Sequence, residues 1–424
     1  PIHELIPNYY RTVTPIDSAR LAIKDTIAIP KPIVREANPL FDYSAGLINH
    51  PIAMWHSHGW YYNPKEDRWM WQRARLFGTV EDLYPASIVI PYLTPMLENA
   101  GAPVFLPRER DFQTNEIIVD NNGSDAKSIY KEVGSWKNGS EKGFSIGKRP
   151  YKNNTNPFRT GTFRESQTDS RGRSQLGWIP NIPEDGDYAV YISYNASEEN
   201  TDEASYTVHY SGGSKEFLVN QKIGGSTWIY LGTFHFKEGI DSKDQKVVLS
   251  SKSSVEGQRI SADAVRFGGG MGVIERNGKS SERPKYTEGA RYWLQYAGFP
   301  DSLVYSLNVN NDYNDDYQSR GEWVNYLTGA PSGPNKDRTA KGLGIPIELS
   351  MAFHTDAGVT GNDNTIGTLM IYSIEDSDSA RVIPNGQSRF ANRDFGDIMQ
   401  TELVDNLRIK FDSTYRRRNL YNRM

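Results

Sequence analysis

At 424 residues, with 37% hydrophobic residues, 37 Gly and 23 Pro, the chain has the length of two domains and the composition of a folded, turn-rich soluble protein. Its 48 basic against 52 acidic residues leave a net charge of -4, which offers no general attraction to nucleic acid or anionic membranes and excludes both as predicted partners. Cysteine is absent, so disulfides, thiolate metal sites and cysteine nucleophiles are excluded together.

Taken in chain order, residues 1–50 read as an N-terminal extension, and their opening "PIHELIPNYY" lacks the basic cap and apolar stretch of a signal peptide. Between residues 51 and 114, "PIAMW" predicts a buried strand, "VEDLYPASIVIPYLTPMLENAG" a helix, and "APVFLPRERD" a second buried strand. Strand, helix, strand predicts a parallel α/β layer. Pro91 and Pro95 predict a kinked or divided helix, and Gly101 predicts its end.

From 115 to 275 the periodicity changes to two. "GDYAVYISYN", "ASYTVHYSGG", "STWIYLGTFHF", "QKVVLSSKSS" and "ISADAVRFGGG" alternate apolar and polar residues between turn formers, which predicts an inserted all-β sandwich of jelly-roll type. The polar, glycine-rich stretch at 124–173 predicts long loops at the sandwich edge. After residue 276 helical and buried-strand signals return: "YTEGARYWLQYAGF" and "DYQSRGEWVNYLTG" predict helices, "IPIELSMAFHTDAG" and "TIGTLMIYS" strands, and 386–415 a long helix. Residues 51–114 and 276–424 are therefore expected to form one α/β domain, an open sheet with flanking helices, interrupted by the β domain.

No run of about 18 apolar residues occurs, so no membrane span is predicted. The 25 Tyr and 9 Trp, many beside Asn, Asp and Gly, point to a glycan as partner. With the missing cysteines they suit a periplasmic or extracellular location.

The chain has only seven histidines, and two of them stand in "MWHSHGW". His58 directly follows a predicted strand, Glu81 lies at a predicted helix start, and His354 follows another strand; in open α/β sheets such positions share the ligand crevice beyond the strand ends. Two histidines and a carboxylate form a ligand set for catalytic zinc with a fourth position left open to solvent. The spacing itself matches no local metal motif.

A resemblance strengthens the assignment. The segment "IAMWHSHGW…VEDLYPASIVIPYLTPMLENAGAPVFLPRERD" resembles the first half of the zinc-dependent N-acetylmuramoyl-L-alanine amidases, and "LSMAFHTDAG" is similar to the strand that delivers their second histidine. The likeness implies zinc as cofactor, His58, Glu81 and His354 as its ligands, and peptidoglycan as substrate, cut at the amide between muramic acid and the stem peptide. "GWIPNIPEDGDYAVYISYN", "STWIYLGTFHF" and "ISADAVRFGG" resemble the golvesin C-terminal-like β domain. Bacterial proteins of this combined layout include some labelled xanthan lyase, so a polysaccharide-binding or lyase-type cell-surface protein is the alternative function.

Two departures from the amidase pattern qualify the likeness. "MWHS" replaces the usual Asp-Pro-Gly before the first histidine, which leaves His56 as an alternative ligand, although the glycine after His58 favours the latter. The catalytic glutamate expected on a late strand is not found before Met424, so the second part of the α/β domain is expected to be truncated and the catalytic residue stays unknown; Glu402 is an available substitute but reads as a solvated helix residue. Asp356 is placed either to orient His354 or to cap a turn. "NVNNDYNDDYQ" has the oxygen content of a calcium loop without its spacing.

Overall fold

A computed structural model describes residues 31–39, 46–75, 78–329, 341–355, 366–375, 379–382 and 388–423. They fall into two compact units, one spanning 30–355 and the other including 356–424.

The first unit is dominated by antiparallel sheets. Six strands pair in the spatial order 34–36, 213–219, 204–210, 246–250, 175–179 and 129–133, and four more in the order 229–236, 186–192, 265–267 and 117–119. Alternation explains the packing: in Ala204–Tyr210 the residues Ala204, Tyr206 and Val208 are buried, and Tyr210 with Phe217 meets Phe234 of the other sheet. Trp178, Tyr206, Tyr188, Phe236 and Phe267 fill the interior of one continuous core. Truncation of one such aromatic to alanine costs about 3–5 kcal/mol.

Among the described residues the α/β fold expected for 51–114 and 276–424 does not form, and they are mainly β. In place of an open sheet with flanking helices there is one three-stranded parallel sheet of short strands, Leu349–Phe353 beside Ile52–His56 beside Val104–Phe105. The reason lies in where the apolar faces go. Ala290–Tyr296 is a buried helix, but Trp293 and Tyr296 pack on Tyr191 and Trp228 of the sandwich, so they extend its core instead of covering a sheet of their own. Asp312–Thr328 buries Trp323 and Leu327 in the same core.

Of the kinked or divided helix predicted from two prolines, the divided form is present. Ala86–Ile88 is α-helical, Val89–Leu93 forms a π-helical turn around Pro91, and Thr94–Asn99 resumes the α-helix. The loops predicted at 124–173 are instead partly strands: Ile129–Val133, Lys137–Gly143 and Gly161–Gln167. The first two are largely exposed at sheet edges, where neither face demands apolar residues, and their sequence therefore carries no alternation.

In the second unit, helix Phe390–Lys410 accompanies a two-stranded parallel pair, Ile371–Tyr372 and Tyr421–Asn422. Gln400 Nε2 donates to the carbonyls of Thr368 and Arg418 and ties helix to strands. No helix among the described residues is long and apolar enough to cross a membrane.

Candidate metal centre

The parallel register Phe353↔His56 brings two strands to their carboxyl ends at the same level. The chain leaves one strand through Ser57 and His58 and the other through His354, so the two imidazoles emerge side by side with ring centroids 4.9 Å apart. Ser57 holds the left-handed backbone (φ 57°) that reverses the chain. Gly59 is required by contact: a Cβ there would fall 2.5 Å from the Gly289 nitrogen.

Buried arginines pin this turn. Arg108 donates to the carbonyls of His56, His58 and Glu288, and Arg320 donates to the carbonyl of Ser57. Arg108 stands in the "RERD" segment of the amidase likeness, where its position was legible but its role was not.

Glu81 comes from the turn before Ala86–Ile88, where Leu83 and Tyr84 donate backbone N–H groups to Val80. One oxygen, Oε1, lies 3.0 Å from His354 Nδ1 and accepts from the Thr355 N–H at 3.1 Å. The other, Oε2, lies 3.3 Å from His58 Nδ1. His58, Glu81 and His354 thus offer three ligand atoms that all lie within 4.8 Å of one another. The side chains of His58 and Glu81 are 5% and 4% exposed whereas that of His354 is 35% exposed, so the cluster opens to solvent on the His354 side.

The electrostatics around the cluster act in both directions, with carboxylates and guanidinium groups close to His58. Burial lowers the pKa of His58, against the hydrogen bond it donates to Glu81, which raises it, and keeps the imidazole in the neutral form that ligates metals. Asp82 is buried 3.8 Å from His58 Nδ1, and burial pushes its carboxyl up to about 7 although it accepts the Arg73 N–H. Arg73 also lies with Nη2 2.9 Å from His58 Nε2 and donates through Nη1 to the Tyr313 hydroxyl at 2.7 Å. Arg73, Asp82 and Arg320 were not legible in the sequence: Arg73 and Asp82 lie between elements, where charged residues carry no periodic signal, and Arg320 is a charged residue on a helix whose buried face periodicity assigns to apolar side chains.

Of the other candidates, His56 is fully buried and outside the cluster, with a pKa held well below the usual imidazole range by burial and by Arg108 and Arg320. Asp356 lies outside the described residues. Glu402 is exposed on helix Phe390–Lys410 of the second unit. The acidic run "NVNNDYNDDYQ" leads into helix Asp312–Thr328, and its carboxylates are engaged: Asp312 by Arg276, Asp315 by Arg291, and Asp316 by Gln72.

A separate polar cavity of about 710 Å³ lies at one end of the sandwich, lined among others by His209, Tyr210, Ser211, Lys237, Glu238 and Asp241.

Comparison with known proteins places the β unit. Residues 117–269 match the golvesin C-terminal domain. The chain is 26% identical over 151 residues to a xanthan lyase of Bacillus sp. (strain GL1), covering 36% of this chain and 14% of that protein. Among solved structures it is similar to a Paenibacillus xanthan lyase (23% identity, TM-score 0.28, 36% of this chain and 13% of that one). It is also similar to the C-terminal carbohydrate-binding module of a laminarinase from Zobellia galactanivorans (14% identity, TM-score 0.22, 36% of this chain and 99% of the module). The region between Ile117 and Gly269 is thus similar to a golvesin C-terminal domain and shares weak homology with xanthan lyase.

Proposed function

We propose that this protein binds a polysaccharide through its β unit, outside the cytoplasm. The observation that carries the reading is the match of residues 117–269 to the golvesin C-terminal domain, with 26% identity to a xanthan lyase over 151 residues. The polar cavity beside Tyr210 supplies hydrogen-bonding side chains next to an aromatic ring, the combination that recognises sugar hydroxyls and sugar faces. Affinity electrophoresis of the full chain in gels containing xanthan or other polysaccharides, with sedimentation on insoluble peptidoglycan, tests it. Retardation or co-sedimentation is expected, and unaltered mobility on every glycan would overturn the reading.

A second reading is favoured by one specific observation, the convergence of His58, Glu81 and His354. We propose that these residues hold zinc, and that the chain is a hydrolase directed at the amide between muramic acid and the stem peptide. The donor set fits: two imidazole nitrogens and a carboxylate, two of the three groups buried and one facing solvent. When bound, zinc supplies Lewis-acid polarisation of a carbonyl and activation of water. Glu81 stands between the two histidines, with one oxygen toward each Nδ1. Arg108 and Arg320 fix the turn that presents His58, and His354 faces the side from which a substrate arrives.

Product chemistry separates an amidase, a lyase and a binding protein. Amide hydrolysis releases a new alanine amino terminus from peptidoglycan, a lyase releases unsaturated, ultraviolet-absorbing sugar ends, and a binding protein releases neither.

A further inference from the structure

The β unit buries two carboxylates that have no cation. Asp120 follows strand Ile117–Val119, and Asp263 lies between strands Arg259–Ala262 and Val265–Phe267. The antiparallel register Val265↔Val119 makes the two segments neighbours. Asp120 is 2% exposed and Asp263 3%. Neither oxygen of Asp120 meets a donor at hydrogen-bond geometry, although the amides of Asn121 and Asn122 lie close enough to pull its pKa down somewhat. Asp263 Oδ2 accepts the Phe144 N–H at 2.8 Å, and its Oδ1 accepts nothing.

No other described residue neutralises this pair. Among the described residues no lysine or arginine forms an ion pair with either carboxylate, whereas Asp312 and Asp315 pair with Arg276 and Arg291, and Glu109 and Glu116 with Arg266 and Lys285. Leaving a charge buried without a partner costs several kcal/mol, so native interiors supply a cation, a proton or a hydrogen-bond donor. Three carboxylate oxygens here have none, and the buried side-chain oxygen of adjacent Asn121 is also without a partner while its Nδ2 donates to Thr162.

We propose that Asp120 and Asp263 hold a hard divalent cation of the calcium class, which ties together the first and last strands of the golvesin-like region. The chemistry selects the class: every candidate donor is an oxygen, with no imidazole or thiolate, which disfavours zinc and copper. Calcium accepts amide and backbone oxygens beside carboxylates at irregular geometry, whereas magnesium demands a near-ideal octahedron. The site is independent of the His58–Glu81–His354 cluster and does not rest on either functional reading.

The experiment uses the full chain, stripped with a chelator and then titrated separately with calcium, magnesium and zinc while its melting temperature is followed. Trp178 donates its indole N–H to the Asp263 carbonyl at 3.0 Å, so it also stands where it sensitises terbium luminescence at the site. A saturable, calcium-dependent rise in melting temperature is expected, together with terbium emission displaced by calcium. Asp120→Asn should lose both, and Trp178→Phe should lose the emission while keeping the rise. A wild-type chain with neither signal, or a folded Asp120→Asn variant that keeps both, overturns the proposal. Should the Asn variant fail to fold, the wild-type and Trp178→Phe titrations decide. A melting temperature that follows pH but ignores calcium assigns the pair to a shared proton and overturns it equally.

Discussion

His354 Nδ1 lies 3.0 Å from Glu81 Oε1 across a sequence separation of 273 residues. The contact exists because the strands ending at His56 and Phe353 are parallel and in register, so their exits meet the turn that carries Glu81. If zinc is held there, His354→Ala and Glu81→Gln each remove one of three ligands. Each should weaken zinc binding by more than the roughly 10- to 100-fold that loss of an outer partner costs. Competition against a chelating dye measures it, and an unchanged affinity in either variant places the ion elsewhere.

Arg73 should oppose the metal. Its guanidinium faces His58 Nε2 at 2.9 Å, which requires that nitrogen to accept and leaves the hydrogen on Nδ1, the atom directed at Glu81. A metal on Nδ1 needs the reverse tautomer, with two donors then facing each other at Nε2. Arg73→Gln is therefore expected to tighten zinc binding several-fold, and the same titration checks it. Weaker binding in the variant would mean that Arg73 supports the site.

Arg266 is the electrostatic centre of the β unit's junction with helix Ala290–Tyr296. Fully buried, it pairs with Glu109 at 2.6 Å and lies 3.8 Å from the Tyr191 ring centroid, with Trp293 and Tyr296 close by. Arg266→Ala leaves Glu109 buried without its guanidinium, and such losses cost about 3–5 kcal/mol. Urea unfolding should show that decrease, and a loss under 1 kcal/mol on the same scale would mean that water or rearrangement replaces the pair.

The buried carboxyls set a pH dependence. Burial pushes Asp120 up to about 8 and raises Asp263 as well, with the Asp120 charge adding to the shift. Groups with raised folded pKa values contribute stability that is complete below the ordinary carboxylate range, about 4, and is lost as pH rises through the folded value. Chelator-treated protein should therefore melt several degrees lower at pH 9 than at pH 5, and calcium should flatten the slope. A melting temperature that rises toward pH 9 without added metal contradicts this.

How far the sequence was legible depended on what each residue had to satisfy. Strands buried on a single face, such as Ala204–Tyr210, must alternate, and their periodicity marked the sandwich. The exposed edge strands Ile129–Val133 and Lys137–Gly143 meet no such demand and read as loops. The α/β expectation failed because local periodicity reports that a helix such as Ala290–Tyr296 is buried but not against what; its partner proved to be the sandwich. His58, Glu81 and His354 were named because scarce ligand types stood beside predicted strand and helix ends, and the structure brings these three side chains together. Arg73, Asp82 and Arg320 were invisible because their roles exist only after the chain has folded.

The central claim, that the β unit recognises polysaccharide, is tested most directly by affinity electrophoresis of the full chain against the polysaccharide panel, with the Glu81→Gln and His354→Ala variants run alongside. The account predicts retardation by at least one polysaccharide, equal in wild type and both variants, because the golvesin-like region does not contain the metal-ligand candidates. Unretarded migration of wild type on every polysaccharide would contradict it, and so would binding that disappears when Glu81 or His354 is replaced.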